Sequence, residues 1–115
     1  MPRLPKRNKF GAIKTVVDGI TFDSRKEARR YLELKEQVKS GLVDSFELQP
    51  KYLLQESFKK DGKTIRAINY IADFEIFYAD GTIVVEDSKG IETDVFKLKR
   101  KLWEYKYRDM RLVVS

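Results

Sequence analysis

Cysteine and histidine are both absent from this 115-residue chain. Their absence excludes zinc fingers, imidazole-held metals, Ser-His and Cys-His nucleophiles and histidine acid–base chemistry. No disulfide can form, which fits a reducing, cytoplasmic compartment. Proline is scarce, with 3 residues, and Pro2 and Pro5 fall near the start, so little interrupts the rest. No apolar run approaches the ~18 residues of a membrane span. No signal-peptide pattern opens the sequence, so no membrane association is expected. Any catalysis must come from carboxylates, Lys, Tyr, Arg or a metal held by oxygen.

What is present is charge and aromatic surface. Lys and Arg number 24 against 18 Asp and Glu, a net charge of +6, and the pI is near 9.5. A basic excess of this size in a small chain is a footprint of polyanion binding. Hydrophobic residues make up 42%, with 7 Phe, 6 Tyr and 1 Trp, enough for one core in one domain.

The sequence divides into a basic arm, residues 1–14, and a domain, residues 15–115. The arm carries Arg3, Lys6, Arg7, Lys9 and Lys14 and no acid. It reads either as a solvated terminus or as a segment that lies on phosphates. TVVDGITF, residues 15–22, predicts a hairpin around Asp18-Gly19. Ser24-Arg25-Lys26-Glu27 matches a capping box and opens a helix that stops at Gly41. Residues 45–54 are strand-like with a break at Pro50, and residues 59–63 form a polar turn. Residues 66–78 and 82–89 predict two strands, and Thr93 or Asp94 caps a second helix reaching about Tyr107. Its stripe Val95, Leu98, Leu102 and Tyr105 is expected to be buried, with its lysines and arginines outward. Residues 111–114 close as a strand. The order helix, three strands, helix, strand predicts an α/β fold: a mixed sheet flanked by helices, with its last strand parallel to the one before.

Strand alternation puts Asn69, Ile71, Asp73, Glu75 and Phe77 on one face. On the next strand, Val85, Asp87 and Lys89 share a face. A three-residue loop, Ala79-Asp80-Gly81, suits a type I turn with a bulge and sets Asp73 opposite Asp87, Phe77 opposite Ile83 and Ile71 opposite Lys89. Like charges directly opposite are destabilising, and a hard cation such as Mg²⁺ or Mn²⁺ would relieve the conflict. Lys89 could then meet a scissile phosphate or the attacking water. The plainer reading is a sheet edge at which Lys89 neutralises two acids. Glu27 begins the stripe Glu27, Tyr31, Leu34, Val38. It serves either the cap or the sheet. The basic residues Lys97, Lys99, Arg100 and Lys101 read as a solvated face or a phosphate-contacting surface.

The helix with Glu27, the Asp73 of YIADF, the Asp87-Ser88-Lys89 of VVEDSKG and the basic helix after them together resemble the PD-(D/E)XK nuclease superfamily. SRKEARRYLEL, ELQPKYLL and TDVFKLKRKLWEY also resemble a small phage- and prophage-encoded family placed there. The resemblance covers most of the chain and implies a restriction-endonuclease-like α-β-β-β-α-β core. It further implies Asp73 and Asp87 as metal ligands, Lys89 as the catalytic lysine and Glu27 as the helix acid. The Ser88 carbonyl completes the expected metal set. Ala72 stands where the motif name has proline, and Asp87 is a permitted variant of glutamate.

The expectation is therefore a Mg²⁺- or Mn²⁺-dependent DNA endonuclease. The phage resemblance suggests branched DNA, as for a Holliday-junction resolvase serving recombination, and hence a homodimer. A restriction-like or nicking nuclease is the near alternative. A non-catalytic basic DNA-binding module is the distant one.

Overall fold

The computed structural model describes residues 13–115, so Arg3, Lys6, Arg7 and Lys9 of the expected arm lie outside the described residues. The first elements are β1 (Thr15–Val17) and β2 (Ile20–Phe22), an antiparallel hairpin with Asp18-Gly19 at its tip. Helix α1 follows (Arg25–Lys39), and the Oγ of its N-cap Ser24 accepts from the Glu27 N–H at 3.1 Å. The helix ends where predicted. Gly41 takes φ +83, and the Leu42 and Gly41 amides return to the carbonyls of Gln37 and Val38. Only a residue without a Cβ adopts that left-handed turn at no steric cost.

Next come β3 (Val43–Leu48) and β4 (Lys51–Gln55), then a hairpin of β5 (Phe58–Lys60) and β6 (Lys63–Ile65). The return runs through β7 (Ile68–Ile71) and β8 (Phe74–Tyr78) to β9 (Ile83–Asp87), α2 (Asp94–Lys106) and β10 (Arg111–Val114). Four strands form the main sheet in the order β10-β9-β8-β3, with β10 parallel to β9 and the other neighbours antiparallel. The protein is thus a mixed α/β fold, and the parallel closing strand follows α2 as expected.

Two predicted strands are each split. Residues 45–54 become β3 and β4, and residues 66–78 become β7 and β8. The two breaks face each other: the Gln49 N–H donates to the Asp73 carbonyl, and the Ala72 N–H to the Pro50 carbonyl. One long antiparallel ribbon therefore bends at residues 49–50 against 72–73, its outer half being the β4–β7 pair. Pro50 offers no N–H for a continuous ladder, and Gln49 turns the chain at φ +49. The bend breaks the expected alternation. Tyr70 and Ala72 enter one core cluster, whereas Phe74 and Ile76 enter the other. Ile71 pairs with Lys51, not Lys89.

The two clusters lie on opposite faces of the main sheet. On one face Phe74 and Ile76 meet Ala28, Tyr31 and Leu34 of α1, with Phe22 and Val43. On the other, Val85 and Leu112 meet Phe96 and Trp103 of α2, with Tyr52, Tyr70 and Ala72. The expected α2 stripe is corrected here. Its buried residues are Phe96 and Trp103, while Val95, Leu98, Leu102 and Tyr105 are exposed. Two apolar stripes share this helix, and the one with the larger rings fills the gap between the main sheet and the β4–β7 pair, where aromatic groups remove the most surface from water. Val38 at the far end of the α1 stripe is also exposed.

Candidate active site at the β8–β9 strand ends

The turn that sets the site is the predicted three-residue loop. Gly81 adopts φ +91, the Tyr78 N–H donates to the Thr82 carbonyl at 2.9 Å, and Phe77 pairs with Ile83. Counting along that register carries Asp73, at the bend before β8, to Asp87 at the end of β9. The Asp73 N–H bonds the Glu86 carbonyl at 3.0 Å, and Asp73 Oδ2 accepts from the Ser88 N–H at 2.7 Å.

Asp87 is the most deeply placed acid, at 2% exposure. Its Oδ2 accepts from the Tyr70 hydroxyl and lies 3.2 Å from Lys89 Nζ. The Lys89 ammonium also sits over the Phe96 ring, 4.9 Å from its centroid, which fixes it between α2 and the acid pair. Burial pushes the Asp73 carboxyl up to about 6, the Ser88 N–H opposes this, and the Asp87 charge reinforces it. Burial, and then the hydrogen bond to Asp87, drives the Tyr70 phenol upward.

Glu27 is 5% exposed at the start of α1. Its backbone N–H donates to the cap Ser24 Oγ at 3.1 Å, and its carboxyl is within electrostatic reach of Asp73 and Asp87. Burial, followed by the charge of Asp73, pushes its carboxyl up to about 7, the charges of Asp23 and Asp87 adding to the effect and a hydrogen bond from the Asp23 backbone N–H opposing it. Three acids, from α1, the bend before β8 and the end of β9, thus feel one another. Among the described residues, no group of three or more His, Cys, Asp or Glu side chains is gathered at metal-holding distance. The close pair is Asp73 with Asp87. Hard carboxylate oxygens of this kind suit Mg²⁺ or Mn²⁺, which take few protein ligands and complete their shell from water and phosphate.

Glu86, the neighbour of Asp87, points to the opposite face, as the alternation predicts. There it forms a two-pronged pair with Arg30 of α1, Nε to Oε1 at 2.7 Å and Nη2 to Oε2 at 2.8 Å. This fork ties the end of β9 to the helix that carries Glu27.

Of the expected phosphate-contacting residues, Lys97 and Lys101 are exposed, whereas Lys99 and Arg100 are half-buried. Arg100 faces Glu92 at 3.8 Å and Glu104 at 4.0 Å, so its charge is already countered. Two groups escaped the sequence reading. Tyr70 was hidden because the bend at residues 72–73 moves it to Asp87's face. The second is the β5–β6 hairpin, expected only as a turn. All its residues are exposed, and Lys60 pairs directly with Lys63 across the strands. Its signal was legible as the lysine-rich run Lys59, Lys60, Lys63 and Arg66 around Asp61-Gly62.

No helix among the described residues is long and apolar enough to cross a membrane. No curated protein and no solved structure matches the chain. A family model, that of a protein of unknown function (DUF1064), matches residues 7–115. The acids, lysine and tyrosine described above all lie inside that span, and the chain belongs to the DUF1064 family.

Proposed function

We propose that this protein is a metal-dependent endonuclease acting on DNA, built on a restriction-endonuclease-like core. The observation that carries the reading is the meeting of Asp73, Asp87 and Lys89 at adjoining strand ends, with Glu27 buried beside them. The order α1, β3, β8, β9, α2, β10 supports the same reading at the level of topology.

Asp73 and Asp87 would hold Mg²⁺ or Mn²⁺ with the Ser88 carbonyl, while Glu27, not gathered with them at metal-holding distance, would act through its charge. When bound, such an ion supplies Lewis-acid stabilisation of charge on a phosphate. Tyr70 holds Asp87 in one orientation by donating to Oδ2. Lys89, already beside Asp87, orients the attacking water or offsets the charge developing on phosphorus-bound oxygen. With no histidine in the chain, the departing oxygen takes its proton from water. The exposed Lys97 and Lys101 of α2 and the lysines of the β5–β6 hairpin supply phosphate contacts around the site. A two-stranded ribbon is narrow enough to enter the major groove of duplex DNA. The Lys60–Lys63 pair carries a like-charge conflict that a polyanion would relieve.

Branched DNA of the four-way type is the proposed substrate, with restriction-like or nicking activity on linear duplex as the near alternative. The test is cleavage of linear, nicked and four-way DNA with and without Mg²⁺. Wild type is expected to cut only with the metal, and Asp87→Ala to lose at least 100-fold while still binding DNA. Binding without any cut product points instead to a non-catalytic DNA-binding module, and unchanged cutting by Asp87→Ala removes the site assignment.

A further inference from the structure

The β5–β6 hairpin brings cations and an apolar surface together on one face. Phe58 pairs with Ile65, Lys59 with Thr64 and Lys60 with Lys63. Positions two apart in a strand share a face, so Phe58, Ile65, Lys60 and Lys63 form one side of the ribbon. Phe58 and Ile65 are 43% and 39% exposed, and the hairpin pairs with no further strand. Of the six phenylalanines among the described residues, Phe58 alone is exposed. An aromatic and a β-branched residue directly opposite one another steady a hairpin. That role still leaves the outer surface of both side chains open to water.

We propose that this face receives an unpaired nucleotide, its base stacked on Phe58 beside Ile65 and its flanking phosphates on Lys60 and Lys63. The charge selects the occupant. Lys59, Lys60, Lys63 and Arg66 cluster here against Glu56 and Asp61. Among the described residues none of these four cations is in an ion pair. On α2, by contrast, Arg100 is matched with Glu92 and Glu104, and Lys106 donates to the Leu53 carbonyl. A polyanion therefore meets uncommitted cations at the hairpin.

The shape agrees with the charge. The apolar part is one ring and one aliphatic side chain wide, which matches a single base and falls far short of a protein interface. Phe58 and Lys60 stand two residues, roughly 7 Å, apart along the strand. A lysine there reaches the phosphate of a nucleotide whose base lies on the ring. The Asp61-Gly62 turn, at φ +51 and +73, is the two-residue type whose twist suits the flanking strands, so the four side chains are in place before the nucleic acid arrives. Bases within a duplex stack on one another and offer no free face. The hairpin thus selects gaps, forks and branch points over linear duplex. The proposal rests on the DNA-binding part of the function given above and not on cleavage.

The test is fluorescence anisotropy in EDTA with linear duplex, single-stranded DNA and a duplex carrying a three-nucleotide gap, with 2-aminopurine in the gap to report stacking. Wild type is expected to bind the gapped DNA at least tenfold tighter than the linear duplex and to quench the 2-aminopurine. Phe58→Val is expected to lose about 5- to 100-fold on gapped and single-stranded DNA, with no quench and less than a twofold change on linear duplex. Phe58→Trp should keep both the preference and the quench. Val and Trp both suit a strand, so the difference between them reads stacking rather than hairpin folding. The wild-type preference and quench carry the test if a variant fails to fold. A wild type with equal affinity for gapped and linear DNA, or a folded Phe58→Val that keeps the preference, overturns the inference. So does Phe58-dependent binding to phosphatidylserine vesicles without a preference for gapped DNA, which assigns the face to an anionic membrane. A protein that shows the preference yet never cuts with Mg²⁺ supports the inference and removes the nuclease reading alone.

Discussion

Glu27 and Asp73 are acids that the fold holds partly against their ionisation. The Glu27 carboxyl stands at about 7 rather than the ordinary 4.5, and Asp73 at about 6 rather than 3.8. Both folded values exceed the unfolded ones, so between those limits the native state binds more protons than the unfolded chain. The contribution of these two carboxyls to stability is then greatest below the window and falls as pH rises through it. In EDTA, the wild-type melting temperature relative to Glu27→Gln should therefore drop between pH 4.5 and 7 by roughly 5 °C. A difference that stays constant across that range contradicts the assigned burial of charge. Under the proposed function, Tyr70, which donates to Asp87 Oδ2, would act through Asp87 rather than on a substrate. Tyr70→Phe should keep the fold and lower Mg²⁺-dependent cleavage by about 10- to 100-fold, mostly in kcat, with DNA affinity unchanged. Equal losses in affinity would assign the tyrosine to binding instead.

At the scale of elements, local chemistry explains most boundaries. The Ser24 cap, the Gly41 stop and the Asp-Gly hairpin tips need only a few neighbouring residues, which is why the sequence discloses them. Ser24→Ala should cost about 1 kcal/mol in a denaturant titration. The α2 stripe shows the opposite case. Val95-Leu98-Leu102-Tyr105 and Phe96-Trp103 both recur at helical spacing, so periodicity cannot choose between them. The choice falls to the cavity the helix covers. Trp103, with no exposure, should cost about 3–5 kcal/mol on truncation to Ala. Leu98→Ala, at an exposed position, should cost under about 1 kcal/mol. Chemical denaturation of both variants separates the two stripes.

For the whole molecule the +6 charge matters through its distribution. Arg30, Lys35, Lys89 and Arg100 are paired with acids, so the cations free for phosphates include the hairpin lysines and Lys97 and Lys101. Under the proposed function, duplex affinity should fall steeply with salt. Lys60→Glu/Lys63→Glu should weaken binding at least tenfold and make the log–log salt slope shallower by about 2. Fluorescence anisotropy at several salt concentrations measures both. An unaltered slope would remove the hairpin from the DNA surface.

The sequence by itself determined the two helices, the first hairpin, the parallel closing strand, and the register that carries Asp73 to Asp87. Each of these follows from contacts close in the chain: a cap, a turn, a period of two. It also determined that hydrolysis here would need carboxylates, because no histidine or cysteine exists to do otherwise. Only the tertiary structure decided that the ribbon bends at residues 49–50 and 72–73. That bend brings Tyr70 to Asp87, and the cavity beneath the β4–β7 pair draws Trp103 inward and turns Leu98 outward. Those outcomes depend on which surfaces compete for the same space, and that competition is settled between segments some 20 to 50 residues apart, beyond the reach of any local pattern.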